Sequence, residues 1–493
     1  MNNYLFQRMH VSFLILLLLL SVWVVNLSGC SNRPLPIETQ TPSEHTPEDG
    51  EFLVSRKIGL SEAFEVPLNK DIGQHNYMNV RYHSVTGIKG TLFYTDPRKS
   101  NAVYSEDFYL DSGVNKSFNL IIGQEEKEQQ ASLNSRFITH VRFANLENKI
   151  GELKVETLDF STKSLDSEQL FMDNGNLKIG VNLSWGGALF YLAYKQEKVF
   201  QVDHEGATKI GVDYDQLKNA VVSHTGDINL LNHHDVGRLV QQSYYGTSLP
   251  PYVTGTYLGM PDMPYNPVQG GDQQENESKI VDFYTSGDTI YIKCQPRDWA
   301  PATLSPAYME NTYVLHDHYL EINNKFIDYS RYIPEVRDQE MPAVYTVRNL
   351  DNWVLYDGDK PFTGDKLTTA RTKGNDAAYR VVNHRIAENW AALVNDQHFG
   401  VGVYVPDLHE GILTTFGYSE TITDPDSRYY NQPLSTMNPT SYMTLTGKLA
   451  FQSLKPLCYT AYLAAGNVDS MRSTFYKLKQ QGANNKSFLN YGE

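Results

Sequence analysis

Short runs in which apolar residues alternate with polar ones recur along almost the whole of this sequence, while runs of helical period are nearly absent. Val80-Arg81-Tyr82-His83, Thr91 to Tyr94, Phe118 to Ile122 and Phe137 to Phe143 carry the pattern early in the chain. Ile179 to Ser184, Thr289 to Cys294, Tyr313 to Leu315, Tyr319 to Phe326, Ala391 to Val394 and Val401 to Val405 continue it. A period of two puts successive side chains on opposite faces of a strand. Tyr, Val and Ile, abundant in these runs, suit a pleated, half-buried surface. The chain is therefore predicted to be all-β: a small N-terminal β-sandwich over 51–165, then a large antiparallel sandwich-type structure over 166–493. A short C-terminal helix is expected over about Asn467 to Gln481, with Asp469 near its start and Gly482 at its stop. Gly237 to Gln242 reads as a second short helical stretch. The small sandwich carries no catalytic constellation and reads as a packing module first, a carbohydrate-binding one second.

The first residues follow other rules. Arg8 and His10 precede an apolar run from Val11 to Val25. That run has the length of a secretory signal core and falls short of the roughly 20 residues a spanning helix needs. It ends in Leu27-Ser28-Gly29-Cys30, which resembles the bacterial lipobox at every position. The resemblance implies that 1–29 is a cleaved signal peptide and that Cys30 is lipidated. The protein would then be lipid-anchored at the cell membrane and face outside the cytoplasm. Residues 30–50, with Pro34, Pro36, Pro42 and Pro47 among Ser, Thr and Glu, read as a disordered tether.

Hydrophobic residues make up 41% of the chain and charged ones 20%, a globular balance. The net charge of −15 argues against nucleic acid as a partner. Cys294 and Cys458 read as buried free thiols, with pairing between them as the alternative. No Cys/His spacing resembles a zinc site, and neither metal nor cofactor is predicted. The acidic loop Asp424-Pro425-Asp426 is the stretch a Ca²⁺ ion would suit. Tyrosine (33) outnumbers phenylalanine (21). Aromatic faces stack on sugar rings while phenols offer hydrogen bonds, so a poly- or oligosaccharide is the favoured partner class.

Chemistry concentrates in two stretches. Asn232 to Gly246 packs His233, His234, Asp235, Arg238, Gln241, Gln242, Tyr244 and Tyr245 into a short space. Polar groups so dense need partners if buried and invite a polar ligand if they line a cleft. The plain alternative is a hydrogen-bonded corner. Tyr265 to Asp272 contains Pro267, Gln269, Gly270, Gly271 and Asp272, in which a stiff turn would present Gln269 and Asp272. Its alternative is an ordinary tight turn. Glu310, Glu340 and Glu388 lie near strand ends beside aromatic or apolar neighbours, where a raised carboxyl pKa is found; the plain alternative, favoured for any one of them, is a surface carboxylate at a strand end. Arg297-Asp298-Trp299 adds a charged pair beside an aromatic platform.

Trp185-Gly186-Gly187-Ala188-Leu189-Phe190-Tyr191-Leu192 resembles the opening strand of galactose-mutarotase-like super-sandwiches. The resemblance covers roughly Met172 to Gly466. It implies a carbohydrate-active super-sandwich whose first polar site residues follow, as Asn232 to Tyr245 do here. Three functions are weighed. A surface-anchored glycoside hydrolase would pair Glu340 with Asp235 or Asp272. Arg238, Gln241, Gln242, Tyr245 and Gln269 would hold hydroxyls, and Trp299 would stack. A polysaccharide lyase would use His234 or Tyr245 as base or acid, with Arg238 and Gln242 on a uronate carboxylate. A non-catalytic glycan-binding lipoprotein is the third.

Overall fold

The computed structural model describes residues 52–95, 102–123, 136–195, 229–233, 235–247, 255–257, 260–331, 334–347, 350–371, 382–416 and 440–485. Cys30, the leader, the tether, His234 and the Asp424 loop lie outside them. Strands dominate, and every pairing between them is antiparallel. The strands from Val54 to Ser161 form two four-stranded sheets. Met78, Val80, Leu92, Phe108, Val141, Phe143 and Leu153 fill the space between them. The later strands form a nine-stranded and an eight-stranded sheet, a three-stranded sheet of Gln169–Asp173, Leu177–Asn182 and Ala188–Tyr194, and a two-stranded one. Met341, Val344, Leu413 and Met443 of the smaller sheet meet Ile292, Met309, Ile322, Phe326 and Leu463 of the larger in one core. The expected all-β class, with its small sandwich, large antiparallel sandwich and short helix, is the one observed.

The nine-stranded sheet is covered on its other face as well, in two places. At one end Val281, Tyr308, Ile327 and Tyr329 join the core of the small sandwich. The Tyr109 amide donates to the Tyr308 hydroxyl at 2.9 Å, and the Tyr77 hydroxyl to Asp282 at 2.6 Å. At the other end lies the helix Val468–Gln480. It buries Val468, Met471, Phe475 and Leu478, a spacing of three and four residues that makes one helical face. That face meets Trp390, Tyr404 and Ala464. The Asn467 side chain caps the helix by accepting from the Asp469 amide at 2.9 Å, and Gly482 ends it at φ +87°. Asp469 thus sits in the first turn rather than at the cap.

Two expectations change. Gly237 to Gln242 is a turn followed by the strand Gln241–Ser243, because those residues pair with Ala343 and Glu340 of the neighbouring strand. Cys294 is the buried free thiol expected, its pKa pushed up by burial, and forms no bridge with Cys458, whose expected burial is not found. Cys458 is only half-buried, on the strand Leu457–Asn467. No helix among the described residues is long and apolar enough to cross a membrane.

Candidate active site

With both faces of the larger sheet covered, the outer face of the eight-stranded sheet is where chemistry can collect. Opposed residues in an antiparallel ladder share a face, so the registers give its composition. Ser243, Glu340, Thr446, Glu410 and Arg385 form one row across five neighbouring strands. Tyr345, Tyr442 and Thr414 form another.

Glu340 and Tyr345 are five residues apart, an odd number that would place them on opposite faces of a regular strand. A bulge between Glu340 and Val344 restores them to one face. Pro342, which has no amide hydrogen, sits within it, the position a central strand allows for proline. The buried Thr444 hydroxyl fills the gap, accepting from the Met341 amide at 3.1 Å and donating to the Pro342 carbonyl at 2.9 Å.

Glu340 is the centre of the group. The Tyr245 hydroxyl donates to it at 3.3 Å, and the buried Tyr442 phenol faces it from the neighbouring strand. Tyr345 packs on Tyr442 with ring centroids 4.6 Å apart, and Ala343 and Ile412 complete the apolar surround. Burial pushes the Glu340 carboxyl up to about 7, against the two phenols, which favour its ionised form. A half-buried carboxyl that holds a proton near neutrality, beside phenols, has the properties of a general acid. Tyr345 and Tyr442 were missed in the sequence because their partner is distant in the chain. The alternation of Thr440–Leu449 was the available signal.

The structure brings the two polar stretches together, and they bind each other. The Gln241 carboxamide oxygen accepts from the Gly270 amide at 2.8 Å. The Gln269 side chain accepts from the Gln242 amide at 3.0 Å and donates to the Gly186 carbonyl at 3.0 Å. The Gln242 side chain donates to the Glu310 carbonyl and to Asn311 Oδ1, and accepts from Tyr244. All three glutamines are buried. They join the strands rather than hold hydroxyls. Gly270 lies so close to Val236 that a Cβ would stand 2.1 Å from its carbonyl oxygen, which leaves no groove between the stretches.

Asp272 is fully buried. Its oxygens accept from the amides of Gln274 and Asn276 and from the Asn276 side chain, with Arg297 at 3.6 Å. It anchors a tight turn, and no oxygen is left facing a ligand. The Asn276 partner four residues on was the local clue. Asp235 accepts from the Gly237 amide at 3.1 Å and lies 3.6 Å from Arg238. Trp299 rests against Gly237. Asp235, Arg238 and Trp299 are therefore neighbours, on a turn rather than in the Glu340 row. Asp298 is buried, accepts from the Asn266 amide, and is pushed up to about 7 by burial.

The other two glutamates singled out in the sequence, Glu310 and Glu388, are structural. Lys325 at 3.0 Å and Lys293 at 3.4 Å hold the Glu310 carboxyl down at about 2, next to Asp111 of the small sandwich, which lies 3.8 Å from Lys325. Glu388 is fully buried and accepts from Arg472, Tyr476, Trp390 and the Phe362 amide, tying the helix to the sheet. Among the described residues, no group of three or more His, Cys, Asp or Glu is placed to hold a metal ion.

No family model matches this chain, and no curated protein matches it. Solved structures give distant likenesses. A galactose mutarotase related enzyme from Lactobacillus acidophilus is 12% identical, with 60% of this chain and 97% of that one covered, at a TM-score of 0.31. A GH36 alpha-galactosidase from Geobacillus stearothermophilus is 10% identical, covering 62% and 40%, at 0.30. The 4-alpha-glucanotransferase of Thermococcus litoralis is 11% identical, covering 61% and 40%, at 0.29. Likenesses this distant fix neither family nor reaction.

Proposed function

We infer that this chain is a carbohydrate-active enzyme, a glycoside hydrolase whose proton donor is Glu340. The observation that carries the reading is the carboxyl itself. It is half-buried, held protonated near neutrality, and bracketed by the hydroxyls of Tyr245 and Tyr442. Glycoside hydrolysis needs such an acid at the leaving oxygen and a second carboxylate across the sugar. Asp272 and Asp235 are engaged elsewhere, so the second group is assigned to Glu410. Glu340, Thr446 and Glu410 stand in register on three adjacent strands. Two strand spacings put their backbones about 9.5 Å apart. That backbone spacing is close to the separation of about 6.5–9.5 Å that leaves room for water between two carboxyls, which favours the inverting arrangement. Tyr345 and Tyr442 supply aromatic surface for sugar rings. The lipobox resemblance at Cys30 supports an enzyme held outside the cytoplasm on a lipid anchor, where polymeric glycans are the accessible substrates.

The test is a screen of the purified protein against neutral and acidic glycans, read for reducing ends and for ultraviolet absorbance. Release of reducing ends that Glu340→Gln and Glu410→Gln both abolish supports the assignment. Products that absorb in the ultraviolet would mean elimination and a lyase. Binding without turnover would leave the glycan-binding alternative.

A further inference from the structure

A second site lies away from Glu340, where the small sandwich meets the body. Asn76, Ile122 and Arg136 line one side of a cleft of about 1070 Å³, and Trp185, Ser278 and Thr303 line the other. That is the upper end of the range for small-molecule pockets, about 300–1,000 Å³. It suits a ligand longer than one sugar.

The sequence builds its aromatic wall deliberately. Asn182 caps the short turn Leu183–Trp185 by accepting from the Ser184 amide at 2.9 Å. Gly186 then adopts φ +59°, and a Cβ there would stand 2.0 Å from the Gln269 carbonyl oxygen. Only glycine lets the turn press so close to the body. The turn so pinned holds Trp185 half-buried on the cleft wall, edge-on to Phe190 at 6.2 Å. Phe283 gives the cleft a second ring.

The charges say what the ligand is not. Arg297 donates to the carbonyls of Glu277 and Ala302 and faces Asp272, Lys279 is ion-paired with Glu106, and Arg136 donates to the Ile122 carbonyl. Each cation is held by the fold, and Glu168, Glu275 and Glu277 line the same cleft. Three cations matched by three carboxylates offer an anion no net field. Aromatic and aliphatic surface beside amide and hydroxyl groups matches the faces and edges of uncharged pyranoses.

We propose that this cleft binds a neutral oligosaccharide segment, separately from the Glu340 face. The proposal takes its ligand class from the saccharide reading above, but none of its residues. Affinity electrophoresis in gels containing galactomannan, xylan, mixed-linkage β-glucan or starch tests it, with polygalacturonate as the anionic comparator. At least one neutral polymer should retard the protein. Trp185→Ala should weaken that binding tenfold or more, and Thr303→Trp, an exposed position that would fill the cleft, should do the same without loss of fold. Glu340→Gln should leave retardation intact. Retardation by polygalacturonate alone, by no polymer, or by neutral polymers regardless of both cleft variants would overturn the proposal. If Glu340→Gln abolished turnover in any of those cases, the catalytic assignment would survive while the cleft assignment fell.

Discussion

Glu388 and Glu340 look alike in the sequence: each is a glutamate beside apolar and aromatic neighbours. In the fold they are opposites. Glu388 lies between sheet and helix with four donors converging on it, and the Arg472 guanidinium foremost among them holds its carboxyl below the usual range against the effect of burial. Glu340 lies on an outer face with two phenols and is pushed up to about 7. Burial acts on both. What separates them is whether a cation accompanies the carboxylate, and so whether the charge stabilises the fold or a proton is kept ready.

The largest effect expected of this contrast is on stability. Glu388→Ala leaves Arg472 half-enclosed without its partner and should cost about 3–5 kcal/mol in urea unfolding. Glu340→Ala should cost far less. A similar loss at both positions would erase the distinction. Next comes turnover. Removing a general acid costs about 10²-fold or more, so Glu340→Gln should lose at least that while its unfolding midpoint does not fall below wild type.

The third prediction concerns pH. A folded pKa raised above the unfolded one means that the folded state binds the proton more tightly. Stability from Glu340 is therefore full below about pH 4.5 and lost as pH rises through about 7. Asp298 and Asp328, pushed up to about 7 and about 6, act in the same direction, so the measurement is the difference between wild type and Glu340→Gln. That difference should be on the order of 2 kcal/mol, allowing for a half-open side chain. Equal pH profiles would mean that Glu340 titrates normally. The smallest effect belongs to Tyr245→Phe. Loss of a donor to the ionised form raises the Glu340 pKa further, so the alkaline limb of the activity profile should move a few tenths of a unit upward. A downward shift would contradict the hydrogen bond.

The strands, the C-terminal helix and the apolar setting of Glu340 were legible in the sequence because each depends on local pattern. Alternation marks Thr289–Gln295, and the three-and-four spacing marks Val468–Gln480. The roles of the other polar residues were not legible, because their partners are remote. Arg472 is 84 residues from Glu388, and Gln269 is 27 from Gln242. A glutamine that joins two strands and one that holds a sugar have the same neighbours in the chain.

The seat of the small sandwich has a consequence for the molecule as a whole. Tyr308, Val281 and Ile327 of the nine-stranded sheet, with Tyr329 just past its strand end, are packed within the other sandwich's interior. A chain shortened to its second part would present those four side chains to water as one greasy scar, beside the charges of Glu310, Lys293 and Lys325. Such a fragment should self-associate, which makes the first hundred described residues an obligatory lid for the rest rather than a detachable accessory.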